Sequence, residues 1–191
     1  MKTITLQIKE LDIFVSSGET LGLLTISEHE RLIQTLEKHA VIINSEERLI
    51  KTMTIAENLF VLNKKTGMII SKKSIEKQAN TLLKDYGVPL KPGLKIYKLN
   101  SFGMYVIQLI KSQLLDKKVV VIENISVTKE ELDFLSSIIT SLKNRGMSFI
   151  YISHFFDSPF SLCDRVSIIK DDCVIKNFYH LPTSDEIKVY N

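Results

Sequence analysis

Residues 97–154 read YKLNSFGMYVIQLIKSQLLDKKVVVIENISVTKEELDFLSSIITSLKNRGMSFIYISH. The decisive part is the apolar run Val119-Val120-Val121-Ile122, which stops at Glu123-Asn124. A helix-patterned segment separates it from a second apolar run, Ser148 to Ser153, which stops at His154. Short apolar runs with polar residues where they end are the pattern of parallel strands buried on both faces. In open α/β sheets, ligands sit at the carboxyl ends of such strands. Glu123 and His154 are therefore placed as site residues.

The flanking segments extend the same pattern. Thr128-Lys129-Glu130-Glu131 is a capping box, predicting a helix with Leu132, Leu135, Ile138, Ile139 and Leu142 inward and Gly146 just past its end. Upstream, strands are predicted at Thr3 to Ile8, Leu11 to Val15, Thr20 to Leu24 and Val41 to Ile43. A helix is expected to open at Ser27-Glu28-His29-Glu30 and to run to about Lys38. Thr54-Ile55-Ala56-Glu57 is a second capping box, and Ser71 or Ser74 caps a further helix that Gly87 ends. A helix is predicted from about Phe102 to Leu115. Downstream lie a short helix, strands Arg165 to Ile169 and Cys173 to Ile175 about a tight turn at Asp171-Asp172, and a tail or small cap from about Pro182. The fold class is α/β with a largely parallel sheet.

The 191 residues suffice for one domain, 1–191, with a sizeable core. A net charge of +3 gives no reason to expect nucleic acid or a membrane surface as partner. No apolar run approaches the ~20 residues of a transmembrane helix. Cys163 and Cys173 sit among apolar residues and read as buried thiols. With no signal peptide and no disulfide pattern, a cytoplasmic location is expected.

Several phrases, in order, resemble the ATP-binding cassette (ABC) transporter ATPases, and most closely the cassettes of carbohydrate importers. SGETLGLL (17–24) is similar to the strand that enters the phosphate loop, and MTIAENLF (53–60) to the start of the helical subdomain. LLDKKVVVIEN (114–124) resembles the Walker B strand, LKNRGMSFIYISH (142–154) the strand ending in the switch histidine, and CDRVSIIKDDCVIKN (163–177) the closing hairpin. The resemblance implies a P-loop NTPase-like core with a small helical subdomain at about residues 54–98. It implies catalytic positions at Glu123, Asn124 and His154, phosphate-loop positions at Ser27 and Arg31, and signature positions at Asn100, Ser101 and Gly103. Ser45 takes the place of the glutamine between the subdomains.

The residues at those positions depart from the family. Thr25 to Arg31 contains no glycine and two carboxylates, where backbone N–H groups should wrap phosphates. Ser27 and Glu30 are expected to cap the helix themselves, and a carboxylate there would repel ATP by on the order of a few kcal/mol. Asn124 is an amide and cannot act as a general base. Asn100 replaces a phosphate-contacting serine, and Phe102 a glycine. The segment from about Lys38 to Ile43 is much shorter than in the family and leaves out much of the sheet that carries the adenine-stacking aromatic.

Plainer readings exist for each feature. Glu28, His29 and Glu30 read as a solvated helix start before a metal cluster. Glu123 is at most a single-carboxylate metal ligand. Lys64, Lys65, Lys72 and Lys73 read as a solvated face, and Phe102, Phe155, Phe156 and Phe160 as core or interface. The residues thus point to a catalytically degenerate cassette without a cofactor, acting as a regulatory or structural partner of another cassette, a transporter or a signalling protein. The resemblance itself implies the alternative, an ATP-binding subunit of a carbohydrate importer. That subunit would use ATP and Mg²⁺ in a composite site with a partner cassette, and would meet the membrane only through a transporter. A third reading, ligand sensing near Glu123, finds no residue that selects a ligand.

Overall fold

The computed structural model describes residues 3–44, 49–60 and 71–190. The chain divides into two compact units, Met1–Ser45 with Lys117–Asn191, and Glu46–Asp116.

In the first unit, β1 (Ile4–Ile8) and β2 (Ile13–Ser16) form a two-stranded antiparallel sheet. A short 3₁₀ turn, Lys9–Leu11, takes up the start of the strand expected at Leu11. The main sheet has six strands in the order β4-β5-β6-β3-β7-β8. These are β3 (Thr20–Thr25), β4 (Val41–Ile43), β5 (Val119–Glu123), β6 (Ser148–Ser153), β7 (Arg165–Lys170) and β8 (Cys173–Phe178). All neighbours run parallel except β7 and β8, which form a hairpin. The two turn residues, Asp171 and Asp172, sit at φ 50° and 60°, a left-handed pair that matches the twist of a tight hairpin. The central strands are buried on both faces, which is why Val119 to Ile122 reads as an unbroken apolar run.

Helix α1 spans Glu30–Glu37 and α5 spans Lys129–Asn144. The Thr128 capping box of α5 is formed in both directions, and Gly146 closes that segment at φ 83°. The box expected at Ser27 and Glu30 is not formed. Ile26 N donates to Ile169 O (3.0 Å), so the bonding to β7 runs on past β3 and the N-cap of the helix falls at His29, two residues later than the expected Ser27. Ser27 Oγ instead accepts from Asp171 N at 2.7 Å. The tail carries a short helix, α6 (Ser184–Lys188), with its own Thr183–Glu186 capping box. Cys163 is buried, and burial pushes its thiol well above the usual range. Cys173 is exposed, against expectation, because it is the first residue after the hairpin turn.

In the second unit, α2 (Ile55–Phe60) packs against α3 (Lys72–Asp85) and α4 (Ser101–Ser112). The unit reaches beyond the expected 54–98 on both sides. Buried Asn58 ties in the upstream segment by accepting from Ile50 N and donating to Ile50 O, and α4 closes the downstream side. The Thr54–Glu57 capping box is formed. Among the described residues, no helix is long and apolar enough to cross a membrane.

Gly22, in the middle of β3, shows how tightly the sheet is covered. A Cβ there would lie 2.8 and 2.9 Å from Phe160 ring carbons and 3.0 Å from Cys163 Sγ. Phe160 is fully buried between Tyr151 and Phe156, so it cannot swing aside. Gly22→Val is expected to destabilise the chain by about 1–3 kcal/mol through overpacking, read as a lower urea midpoint at unchanged slope. An unchanged midpoint would refute the tight approach.

Candidate functional site

The ends of β5, β6 and β3 lie side by side, and Glu123, His154 and Thr25 stand at those ends. A fourth residue, His29, reaches them from the N-cap position of α1. Because Ile26 is still bonded to β7 and the helix starts late, the short Ser27–His29 connection folds His29 inward. Its side chain is only 8% exposed, while Glu28 and Glu30 on either side face solvent.

His29 Nε2 lies 3.1 Å from Glu123 Oε1, and Asn44 Nδ2 donates to Glu123 Oε2 at 3.4 Å. His29 Nδ1 is 3.4 Å from Thr25 Oγ1. His154 Nδ1 is 3.1 Å from both the hydroxyl and the carbonyl oxygen of Thr25. Carboxylate and carbonyl oxygens only accept, which assigns protons to His29 Nε2 and His154 Nδ1. The two imidazoles stand 4.6 Å apart, tilted by 57°. The hydrogen bond from His29 holds the Glu123 carboxyl below the usual carboxylate range. Burial pulls the other way, and the Asn44 bond and the imidazole charges reinforce the lowering.

A cavity of about 410 Å³ lies over this cluster, lined by Glu28, His29, Glu30, Glu123 and His154 among others. It carries three carboxylates and, among the described lining residues, no lysine or arginine. Binding of a triphosphate with its metal calls for converging N–H donors and a carboxylate free to face a cation. Here both oxygens of Glu123 are engaged by the protein, and the loop offers side-chain acceptors in place of glycine amides. Among the described residues, no group of three or more His, Cys, Asp or Glu side chains is arranged to hold a metal ion.

The expected site residues are therefore split. Glu123 and His154 come together at this cavity. Asn124 is exposed at φ 47°, a left-handed conformation that asparagine tolerates well, and its N–H donates to Ile152 O. Arg31 points to solvent from α1 and lines no part of the cavity, and Ser27 is turned toward the β7–β8 hairpin. In the second unit, Asn100 is the N-cap of α4 and accepts from Gly103 N at 2.8 Å, with Ser101 as the first helical residue. Lys72 and Lys73 are exposed. Ser45, Lys64 and Lys65 lie outside the described residues. His29, Asn44 and Thr25 were not legible as site residues. Their partners Glu123 and His154 lie 94, 79 and 129 positions away, too far for any local spacing to signal them.

No family model matches the chain. Relatives are nevertheless found. The chain is 31% identical over 134 residues to an arabinose import ATP-binding protein, AraG, of Rhizobium etli, a match covering 69% of this chain and 27% of that protein. It is 31% identical over 137 residues to a ribose import ATP-binding protein, RbsA, of Geobacillus kaustophilus, covering 69% and 28%. The chain thus spans little more than a quarter of the length of these relatives. Among solved structures, cbiO1 from Clostridium perfringens, part of the ABC transporter complex cbiONQ, superposes with a TM-score of 0.67 at 12% identity. That match covers 99% of this chain and 89% of the other. MJ1267, an ATP-binding cassette of an ABC transporter in its ADP conformation, gives 0.68 at 16% identity, covering 98% and 91%. Fold and sequence agree with the resemblance read from the motifs, and the chain belongs to the ATP-binding-cassette ATPase domains, similar in sequence to those of carbohydrate importers.

Proposed function

We propose that this chain is a non-hydrolysing cassette that acts as a regulatory or structural protein partner in a transport or signalling system of the carbohydrate-importer type. The observation that carries the reading is the His29–Glu123 hydrogen bond, which puts a protein side chain on the carboxylate that the family resemblance assigns to the metal. The acidic lining of the same cavity supports it, since three carboxylates repel a polyphosphate. The amide of Asn124 supports it as well, since it cannot take a proton from water. In this reading the chain works in the cytoplasm without a bound cofactor and meets the membrane only through a transporter partner.

The relatives favour a second reading, because the proteins they name are import ATP-binding proteins. In it, the chain is an ATP-binding subunit, with ATP and Mg²⁺ held in a composite site whose working phosphate loop belongs to a partner cassette. Calorimetric titration of ATP with Mg²⁺ into the full chain tests the first reading directly. The expected result is no heat in the micromolar range, and no turnover from wild type or from Asn124→Glu. Micromolar binding would overturn the first reading, in which the chain holds no nucleotide by itself.

A further inference from the structure

His154 has a second side. There, where β3, β6 and β7 end, a separate cavity of about 650 Å³ is lined by Ser27, His154, Phe155, Lys170 and Tyr190 among others. Its chemistry is the opposite of the first cavity. Lys170 is the charged residue of the described lining, and its Nζ makes neither a hydrogen bond nor an ion pair among the described residues. Phe155 is 78% exposed, an unusual position for a phenylalanine whose near neighbours Tyr151 and Phe160 are packed inside. Tyr190 lines the same cavity and is held by Phe178, edge to face at 6.3 Å between centroids. Ser27 Oγ already accepts from Asp171 N, which leaves its hydroxyl hydrogen to donate; the Glu28 carbonyl, 3.5 Å away, offers only a marginal acceptor. With His154 Nδ1 occupied by Thr25, the other ring nitrogen has no partner among the described residues.

We propose that this cavity binds a small aromatic anion, an aryl carboxylate or aryl phosphate. Its ring lies against Phe155 and Tyr190, and its charged group meets Lys170 and the Ser27 hydroxyl. Each part of the ligand class follows from a group that is otherwise idle. An exposed ring gains by burial and by contact with a second ring. An unpaired ammonium gains from a charge-assisted hydrogen bond. A cation would be repelled by Lys170, and a bare inorganic anion would leave both rings in water. The nearby carboxylates of Asp171 and Asp172 belong to the hairpin turn and do not line the cavity. The location at the carboxyl ends of parallel strands is where open α/β sheets place ligands. The inference is independent of whether ATP binds at the first cavity.

The test is an NMR titration of the full chain with phenyl phosphate, benzoate, inorganic phosphate and benzyl alcohol. Phenyl phosphate and benzoate are expected to give saturable shifts at Ser27, Phe155 and Lys170. Inorganic phosphate and benzyl alcohol should bind about tenfold more weakly, since each offers only half of the interaction. Lys170→Gln and Phe155→Ala, both surface changes, should each weaken the aryl anions by about tenfold. Absence of saturable shifts, equal affinity for inorganic phosphate and phenyl phosphate, or an unaltered response in Lys170→Gln would each overturn the proposal.

Discussion

Arg165→Ala is expected to lower the unfolding free energy by about 3–5 kcal/mol, the usual cost of stranding one partner of a buried ion pair. Arg165 opens β7 and is 6% exposed, and Glu19, just before β3, is 7% exposed. The guanidinium Nε donates to Glu19 Oε1 at 2.5 Å, and a second guanidinium nitrogen donates to the Phe14 carbonyl in β2. The same guanidinium lies over the Phe14 ring, 4.2 Å from its centroid. The other oxygen of Glu19 accepts from Ser16 N at 2.7 Å, so the carboxylate is tied to both sheets. Truncating the arginine leaves this carboxylate without its counter-charge and the part-buried Phe14 carbonyl without this donor. A domain of this size is stable by roughly 5–15 kcal/mol, so the loss takes a large share of the total. Arg165→Lys should recover only part of it, because an ammonium cannot reproduce the planar fork. Urea unfolding of Arg165→Ala, Glu19→Ala and the double variant measures the coupling. The double variant should cost clearly less than the sum of the two, and additive losses, or a loss below about 1 kcal/mol for Arg165→Ala, would show the pair to be unimportant.

The parts of this molecule that could be read from its sequence are those set by local chemistry. The unbroken apolar run at 119–122 is a strand buried on both faces, and the boxes at Thr54 and Thr128 are formed because both halves lie within one turn. The box at Ser27 had the same wording and failed. There the competing interaction was the β3–β7 ladder, which holds Ile26 extended and delivers Ser27 to Asp171 N. The resemblance located Glu123 and His154, but it could not show that His29 occupies the space between them. That histidine looks like one residue of a solvated helix start until the delayed onset of α1 turns it inward. The departure from expectation therefore has one origin, a helix that begins two residues late. It accounts for the buried histidine, the exposed Arg31 and the displaced Ser27 together.

The same histidine gives the second large effect, His29→Ala. The Glu123 carboxylate is 17% exposed and accepts from His29 Nε2, a bond to a charged group of the kind that contributes about 1.5–3 kcal/mol. Its removal should lower stability near neutral pH by about that amount, with some addition from the space left under α1. The pH dependence gives the effect a signature that simple loss of packing lacks. Glu123 titrates below its ordinary value of 4.5 in the folded chain, chiefly because of His29. A carboxyl depressed by folding contributes stability that is fully present above the unfolded value and is lost as pH falls through the folded one. Wild type should therefore lose stability as pH drops below about 4.5, and His29→Ala should lose less over the same interval. With its main donor gone, Glu123 retains the burial that pushes its carboxyl upward, while the Asn44 bond and the neighbouring His154 still favour its ionised form. The curves of the two proteins should accordingly converge in acid and separate toward neutrality. Unfolding free energies measured along a pH series supply the comparison. Parallel curves would mean that His29 acts only as packing and does not hold the ionised carboxylate. Convergence would identify the bond as the internal counterpart that occupies Glu123, and would make His29→Ala the variant in which to ask whether an external cation can take its place.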